Sequence, residues 1–471
     1  MRCAHHPTRD TSMHKKKSTS QKTRLRELKT YLEQNPQTEY IDALFVDMSG
    51  VIRGKRYLRD DIDKLFRGGL QIPLSVHYLD VTGASLNPCG MGFTDGDPDG
   101  TALPIEGTLV PVGWSQGRGG QALMTMLDQS GASAWTDPRN VAARVLARLA
   151  ELEVSPVVSF ELEFYLIDKA RDPKDRPQPP ISPATGRRDL STQVYGMTEL
   201  DAFAPFLHAV EEECRSQNVP ASVATKEYAP GQFEINLRHV PDPLAAADHC
   251  ALLRYIVKNV AQDYEVEATF MSKPYIDRTG SGMHVHASLL DWQGNNVFED
   301  KSELGSETLR HAIGGLKATM NDAMAIYAPN VNAFRRYLPN RFVPVTPSWG
   351  PNNRSVAFRI PAGEAKNRRF ENRVAGADAN PYLVLAAIVA GMHHGLVNKI
   401  DPGPPAQGNA GEHSDPDMPL TWRDAIARLN ASGIINEYLG TPYVQLYCDS
   451  KLKELMKYYD YISLREYEWY L

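Results

Sequence analysis

Five short segments of the chain alternate apolar and ionisable side chains, and this pattern constrains the fold most strongly. In the segment 157–166, Phe160, Leu162 and Phe164 fall on one side of an extended strand, while Glu161 and Glu163 fall on the other. The same alternation occurs in four further segments, at 232–238, 283–289, 354–359 and 369–373. The pattern predicts a sheet with one apolar face in a core and one polar face assembled from distant parts of the chain.

Length and composition predict a soluble globular protein of at least two domains. The chain has 471 residues, of which 42% are hydrophobic and 23% charged, and no uninterrupted apolar run approaches the roughly 20 residues of a membrane span. The net charge of -6 argues against general nucleic-acid binding. The five cysteines are widely spaced and contain no Cys-x-x-Cys pair, which indicates a reducing cytoplasm rather than a disulfide framework or zinc knuckle.

The order of patterns along the chain predicts an arm and two domains. Residues 1–23 are basic and polar and are interpreted as a flexible arm. A domain of residues 24–135 begins with a helix to about Gln34 and contains a strand at 40–47 and a long ordered loop at 81–120. Asp137 and Pro138 mark a helix start, so the second domain takes residues 136–471. Its helical patterns lie between the polar-faced strands and predict an α+β fold, at about 199–217, 241–263, 304–325 and 379–398.

The polar faces of the predicted strands carry the ligands that hard divalent cations prefer. Mg²⁺ and Mn²⁺ bind oxygen ligands with an occasional imidazole. A Glu-x-Glu pair on one strand is also typical of a solvated face, but acidic residues recur on several otherwise apolar strands. This recurrence favours a metal site, with the candidate ligands Glu161, Glu163, Glu227, Glu234, His284 and Glu371. His286 shares the face of His284, and we interpret it as a phosphate donor rather than a core histidine.

Arginines around Glu371 indicate binding of phosphate or carboxylate groups. Guanidinium groups bind both bidentately, and the alternative of solvated surface arginines is weakened because several lie among apolar residues. The series is Arg335, Arg336, Arg354, Arg359, Arg368, Arg369 and Arg373. Since no Walker loop is present, metals and arginines would have to hold any nucleotide.

The motifs together resemble the glutamine synthetase superfamily, from the end of the arm to the carboxyl terminus. They occur in the family's order, as Phe160-Glu161-Leu162-Glu163-Phe164, Glu227 to Glu234, Gly280 to His286, Asn353-Arg354-Ser355 and Ala377 to Tyr382. Within the superfamily the chain is most similar to the γ-glutamylputrescine synthetases. The similarity rests on segments 45–56, 79–83 and 348–354.

The resemblance implies a fold, an assembly and a set of substrates. The expected fold is α+β, with an N-terminal β-grasp domain and a C-terminal catalytic domain whose curved antiparallel sheet is backed by helices. Subunits are expected to form a homo-oligomer, a dodecamer of two hexameric rings with shared active sites. The expected substrates are glutamate, ATP and a small amine, with two or more Mg²⁺ or Mn²⁺ ions per site.

The resemblance also implies roles for individual residues. Glu163, Glu227 and Glu234 match ligands of the metal on the glutamate side, and Glu161, His284 and Glu371 match ligands of the metal that holds the ATP phosphates. His286, Ser288, Arg359 and Arg369 are assigned to the nucleotide. Gly280, Arg336 and Arg373 are assigned to glutamate, and Arg336 and Arg354 to catalysis.

The implied reaction activates a carboxylate as an acyl phosphate, which an uncharged amine then attacks. Because alkylamines are mostly protonated at neutral pH, a base is needed, and Asp80 is the candidate. Phe342 stands where ammonia-using members carry a flap glutamate, Thr279 stands in place of their usual asparagine, and the loop 399–419 lacks the tyrosine that some relatives adenylylate. Phe342 therefore argues against ammonium as the substrate.

Several alternatives remain open at the level of sequence. The resemblance implies that the amine is putrescine or another polyamine. A longer polyamine or a monoamine remains an alternative, because Phe342 and Trp349 would suit an apolar amine, and glutamine synthesis from ammonium is a further possibility within the family. A catalytically silent structural member is disfavoured because none of the six candidate ligands is missing. A two-metal hydrolase could use the same carboxylates, but it would not need so many arginines.

Overall fold

The computed structural model describes residues 11–471, with side chains described from Gln21 onward. Helix α1 spans Thr11–Gln34, so it begins 13 residues before the predicted start at Arg24 and includes part of the predicted arm. No glycine or proline lies between Thr11 and Gln34, and nothing in the local sequence interrupts a helix there. Residues 1–10 of the predicted arm lie outside the described residues.

The N-terminal part forms a six-stranded sheet flanked by helices. Its strands run in the order β2-β1-β6-β4-β3, with β5 paired to β6, and β1 and β6 are parallel. The elements after α1 are β1 (Tyr40–Val46), β2 (Ile52–Leu58), α2 (Ile62–Gly68), β3 (Leu70–Pro73), β4 (Asp99–Pro104), β5 (Val110–Val112) and β6 (Gly119–Leu127).

The prediction of one long loop over 81–120 is wrong in its second half, where β4 and β5 lie. The alternate residues Gly100, Ala102 and Pro104 of β4 are buried while the residues between them are partly exposed. The strand has the expected period of two. Small residues and proline on its buried face hide that period, because these residue types are also typical of turns.

The C-terminal part is built on an eight-stranded sheet that is antiparallel except between β12 and β13. The strand order is β12-β13-β14-β11-β7-β9-β8, with β10 paired to β7. The strands are β7 (Val154–Asp168), β8 (Ala221–Lys226), β9 (Gln232–Leu237), β10 (Val266–Thr269), β11 (Met283–Asp291), β12 (Trp349–Pro351), β13 (Phe358–Ile360) and β14 (Phe370–Asn372). All five polar-faced segments contribute a strand, but Arg354 precedes β13 instead of lying in it.

Helices cover the apolar face of this sheet. As predicted, α3 begins after Asp137, whose side chain accepts a hydrogen bond from the Arg139 N–H. The helices are α3 (Pro138–Ala150), α4 (Met197–Ala202), α5 (Ala204–Ser216), α6 (Pro243–Ala261), α7 (Glu307–Thr319), α8 (Met324–Tyr327), α9 (Pro381–Asn398), α10 (Trp422–Ala431), α11 (Gly433–Leu439), α12 (Thr441–Tyr459) and α13 (Leu464–Tyr470). They confirm the four predicted helical regions, with α4 and α5 sharing the first and α7 and α8 the third.

Helix α9 lies in the core behind the sheet. By length and composition it could cross a membrane, but 78% of it is buried inside the protein, as is typical of a core helix. Phe160, Leu162 and Phe164 of β7 are fully buried on the same side of the sheet. The opposite face of β7 is therefore the one left for polar chemistry.

The two parts of the chain meet at a polar junction. The Arg254 guanidinium donates to the Gly50 carbonyl at 3.0 Å, and the Lys451 ammonium donates to the Ser49 hydroxyl at 2.6 Å. On helix α12, Lys457 pairs with Asp80 at 2.6 Å. Helix α12 therefore fixes the position of the segment that contains Asp80.

Candidate active site

Strand register brings the candidate ligands together. His284 on β11 lies directly opposite Glu161 on β7, and Glu163 on β7 lies opposite Glu234 on β9. Glu371 on β14 lies opposite His286 on β11. Because directly opposed residues on paired strands lie about 5 Å apart, these pairings assemble one polar patch on the face away from the core.

The imidazole of His284 lies at the centre of this patch. Its Nδ1 atom is 3.5 Å from Glu161 Oε2, 3.7 Å from Glu371 Oε1 and 3.9 Å from Glu234 Oε2, and its Nε2 atom is 3.8 Å from Glu163 Oε1. Glu161 belongs to two overlapping groups whose ligand atoms lie within 4.8 Å of one another, one with Glu234 and His284 and one with His286 and Glu371.

Like charges crowd one half of the cluster. Burial, and next the charge of Glu161, raise the pKa of Glu234 well above its usual value. Burial and the neighbouring Glu163 raise the pKa of Glu227 to about 7. The charge of Glu163 acts on Glu227, and the charge of Glu227 acts on Glu234, so the sixth candidate lies within electrostatic reach of the cluster. We expect a divalent cation to relieve this repulsion, because it would supply positive charge among the carboxylates.

Arginines occupy the other half of the cluster. Burial alone would raise the pKa of Glu371, but Arg373, followed by His284, lowers it to about 2. Arg373 donates to Glu371 Oε1, and Arg359 donates to Glu371 Oε2 at 2.8 Å. The Nε atoms of Arg359 and Arg373 are buried and have no hydrogen-bond partner in the part of the chain that the structure describes. This half therefore retains donors for an anionic ligand.

Three further nucleotide candidates lie on or beside β11. Arg369 Nε donates to His286 Nδ1 at 3.1 Å, which assigns the acceptor role to that ring nitrogen. His286 Nε2 is 2.9 Å from Glu161 Oε1. Ser288 is partly exposed on the same strand opposite Val157, two residues beyond His286 and further from the carboxylates.

The two arginines assigned to catalysis, Arg336 and Arg354, differ in exposure. Arg336 is buried, and its guanidinium donates to the Val374 carbonyl at 2.7 Å beneath the turn that contains Gly280. A Cβ atom at Gly280 would lie 2.6 Å from the Ser272 carbonyl oxygen, so only glycine fits there. Arg354 is exposed, and its charge acts on Glu227. Arg354 is therefore placed beside the crowded half of the cluster, and Arg336 is held below it.

The geometry of Asp80 corrects its assignment as the base. Its side chain is fully buried, and Oδ1 accepts hydrogen bonds from the N–H and hydroxyl of Thr82 and from the Ala84 N–H. Oδ2 accepts from Lys457. These donors outweigh the effect of burial and lower the pKa of Asp80 to about 2. In this chain Asp80 is a structural carboxylate with no surface open to an amine.

The two aromatic candidates for the amine pocket, Trp349 and Phe342, differ in exposure. Trp349 is 2% exposed and donates its indole N–H to the Gly403 carbonyl at 3.1 Å, so it is a core residue and not a pocket wall. Phe342 is 68% exposed in the segment after Leu338. Of the two, only Phe342 can contact a ligand directly.

Sequence reasoning missed a polar clamp around Gln232. Its Nε2 donates to the Gly280 carbonyl at 3.0 Å, and its Oε1 accepts from the Thr279 hydroxyl at 2.5 Å. Tyr165 donates to the Thr279 carbonyl at 2.7 Å. Gln232 begins the strand that carries Glu234, and a polar residue at a buried end of such a strand was the available signal. The clamp connects that strand to the Gly280 turn.

Comparison with known families gives the family of this chain. Residues 135–470 match the model of the glutamine synthetase catalytic domain. The chain belongs to the glutamine synthetase family. Enzymes of this family use ATP and divalent metals.

Curated relatives cover nearly the whole chain. It is 41% identical over 445 residues to the γ-glutamylputrescine synthetase PuuA of Escherichia coli K12, an alignment that covers 94% of both proteins. It is 30% identical over 440 residues to a glutamate–isopropylamine ligase of a Pseudomonas species, covering 90% of this chain and 93% of the relative. The expectations of a ligase and of similarity to the γ-glutamylputrescine synthetases are confirmed.

Solved structures support the same fold. The chain superposes on the structure of GmaS without ligand with a TM-score of 0.78 and 26% identity, covering 93% of this chain and 98% of GmaS. A GmaS/ADP complex superposes equally well. The predicted α+β fold is confirmed.

Proposed function

We propose that this protein joins the γ-carboxylate of glutamate to putrescine in an ATP-dependent reaction. The observation that carries the proposal is the cluster itself, in which crowded carboxylates on one side of His284 adjoin arginines on the other. Such a site can hold a substrate carboxylate next to a polyphosphate. The amine is proposed from the relative that is 41% identical, whose name specifies putrescine.

The reaction has two steps, formation of an acyl phosphate and attack of the amine. A γ-carboxylate oxygen of glutamate attacks the γ-phosphorus of ATP, and ADP leaves, which produces γ-glutamyl phosphate. The uncharged amine nitrogen then attacks the γ-carbonyl carbon, phosphate leaves, and the nitrogen loses a proton to complete the amide. Arg359, Arg369 and Arg373 line the phosphate side and stabilise the charge of the transferring group.

Two metal positions are proposed from the donor set. Glu163, Glu227 and Glu234 would hold one ion, and Glu161, His284 and Glu371 the other, with Mg²⁺ or Mn²⁺ as the matching cations. Bound there, the ions would neutralise substrate and phosphate charge. Buried Glu234, repelled by its neighbours, supports the need for cations.

A monoamine ligase is the second candidate. It is favoured by exposed Phe342, which offers an apolar contact, and by the similarity to a glutamate–isopropylamine ligase. Synthesis of glutamine from ammonium would lack that contact, which is worth about 0.8 kcal/mol per buried methylene.

A substrate panel tests the proposal. Phosphate release is measured with saturating glutamate and ATP against ammonium, ethylamine, butylamine, putrescine and spermidine, and the amide product is identified by mass. We expect putrescine to give the highest kcat/KM. A higher value for a monoamine would keep the ligase and reject putrescine, and a higher value for ammonium would indicate glutamine synthesis.

We also propose the domain boundaries, the assembly and the cellular compartment. We propose two domains, at 24–135 and 136–471, and a dodecamer of two hexameric rings. Exposed apolar side chains near the carboxyl end, such as Tyr461, Leu464 and Trp469, support a subunit contact there. The four cysteines of the described chain are free, which supports a reducing cytoplasm. Light scattering of the purified protein tests the assembly.

A further inference from the structure

A cavity of about 660 Å³ lies beside the turn that follows Glu227. Pro230 and Gly231 of this turn form part of its lining. Other walls come from the segment 180–203, which contributes apolar side chains (Pro180, Ala202 and Phe203), two carboxylates (Asp189 and Glu199) and two arginines (Arg187 and Arg188). The two carboxylates are the groups in this lining that could accept hydrogen bonds from an ammonium group.

Glu199 is a buried acceptor with unused capacity. Its side chain is only 10% exposed. Oε1 accepts a hydrogen bond from the Gly231 N–H at 3.3 Å, whereas Oε2 is buried and has no hydrogen-bond donor among the described residues. The Lys226 Nζ atom is 3.5 Å from Oε2, at the outer limit for a hydrogen bond. Buried acceptors normally have a donor, so Oε2 is available to a donor on a ligand.

Of the basic groups nearby, Lys226 and Arg188 are directed elsewhere, and Arg187 is an exposed residue of the cavity lining. Lys226 donates to the carbonyls of Glu227 at 2.6 Å and Ala229 at 2.7 Å. Arg188 donates to Asp168 at 2.6 Å and to the Pro179 carbonyl. These bonds hold the two cations on backbone and on other partners, so neither closes a hydrogen bond to Glu199.

The cavity adjoins the catalytic cluster through a short stretch of backbone. Lys226, which lies next to Glu199, immediately precedes the candidate ligand Glu227. The Tyr195 N–H donates to the Lys226 carbonyl at 3.0 Å and fixes the covering segment to this strand end. The wall of the cavity therefore borders the strand end that is followed by Glu227.

We propose that this cavity receives the far ammonium group of a diamine substrate, with Glu199 and Asp189 as acceptors and the apolar walls in contact with the methylenes. This inference rests on the proposed function and deepens it. Asp189 already accepts from the Ser191 N–H and hydroxyl through Oδ1. Those bonds orient its carboxylate at the cavity wall.

The test compares putrescine with n-butylamine, which lacks only the second ammonium group. The ratio of their kcat/KM values is measured for the full-length enzyme and for the variants Glu199→Gln and Asp189→Asn. We expect Glu199→Gln to lower the ratio at least tenfold, with butylamine turnover little changed, and Asp189→Asn to lower it less. Glu211→Gln is the control, because Glu211 is an exposed carboxylate paired with Arg215 on α5.

The outcomes separate this inference from the proposed function. An unchanged ratio in both variants, or an equal fall for both amines, would overturn the diamine site while the wild-type enzyme still prefers putrescine. A wild-type enzyme that prefers butylamine would instead overturn the proposed function. The Asp189→Asn substitution leaves the ion pair between Lys226 and Glu199 in place. A lower ratio of the two kcat/KM values in that variant therefore supports the site even if Glu199→Gln folds poorly.

Discussion

Two regions of this protein bury carboxylates, and they do so in opposite ways. In the catalytic cluster, Glu234 is surrounded by like charges, and its pKa is raised by burial and by Glu161. Asp80 and Asp248, which we call the structural carboxylates, each have their own donors. Asp248 accepts from the Arg139 guanidinium at 2.9 Å and from the Tyr382 hydroxyl at 2.7 Å. A buried carboxylate that has its own donors stabilises the fold, whereas a buried carboxylate surrounded by like charges marks a site for a cation.

Removal of one charge from the catalytic cluster should have the greatest effect on activity. Glu234→Gln removes one negative charge and keeps the shape, so we expect kcat/KM to fall about 100-fold or more. The free energy of unfolding of the metal-free protein should stay level or rise, because repulsion among the carboxylates is relieved. Phosphate release and urea unfolding measure the two effects.

Glu371→Ala is a poorer test of the same idea. It would leave Arg359 and Arg373 without their carboxylate, so lost activity and lost stability would be mixed. A Glu234→Gln protein that ligates at the wild-type rate would remove Glu234 from the candidate ligands. One that is strongly destabilised would show that its charge is paired.

The second prediction concerns Asp248, one of the structural carboxylates. Asp248→Asn leaves the partly buried Arg139 without a full negative partner, and we expect about 3 kcal/mol less unfolding free energy. Activity per folded molecule should stay near wild type, since Asp248 lies on α6 behind the sheet. Asp63→Asn at an exposed pair with Arg67 is the control and should change stability by less than about 0.5 kcal/mol.

The same contrast explains what could be predicted from sequence. Strand parity placed Glu161, Glu163 and Glu234 on one face because each alternates with core residues, and the resemblance supplied their roles. Parity cannot reveal which partners a side chain finds in distant segments. Asp80 looked like a free carboxylate, but Lys457, 377 residues away in sequence, holds it.

Local signals failed for similar reasons elsewhere. Trp349 lies among polar residues in sequence, yet Gly403, 54 residues away, accepts its indole hydrogen bond in the core. The small residues on the buried face of β4 have the composition of a turn and the periodicity of a strand. The Gln232 clamp joins three segments, and no one of them shows it alone.

The third prediction concerns how the stability contributed by Asp80 depends on pH. Burial would raise the pKa of Asp80, but Lys457, Thr82 and Ala84 lower it to about 2, below the value near 3.9 of an unfolded chain. A carboxylate with a lowered folded pKa contributes stability above about pH 4 and loses it as the pH falls toward 2. Lys457→Met should therefore cost about 1 kcal/mol of unfolding free energy at pH 7, with the difference from wild type shrinking below pH 4. Lys64→Met, at an exposed pair with Asp61, is the control and should show no pH-dependent difference. Urea unfolding between pH 7 and pH 3 measures it, and a difference that stays constant over that range would mean that Lys457 acts through packing of α12 and not through the charge of Asp80.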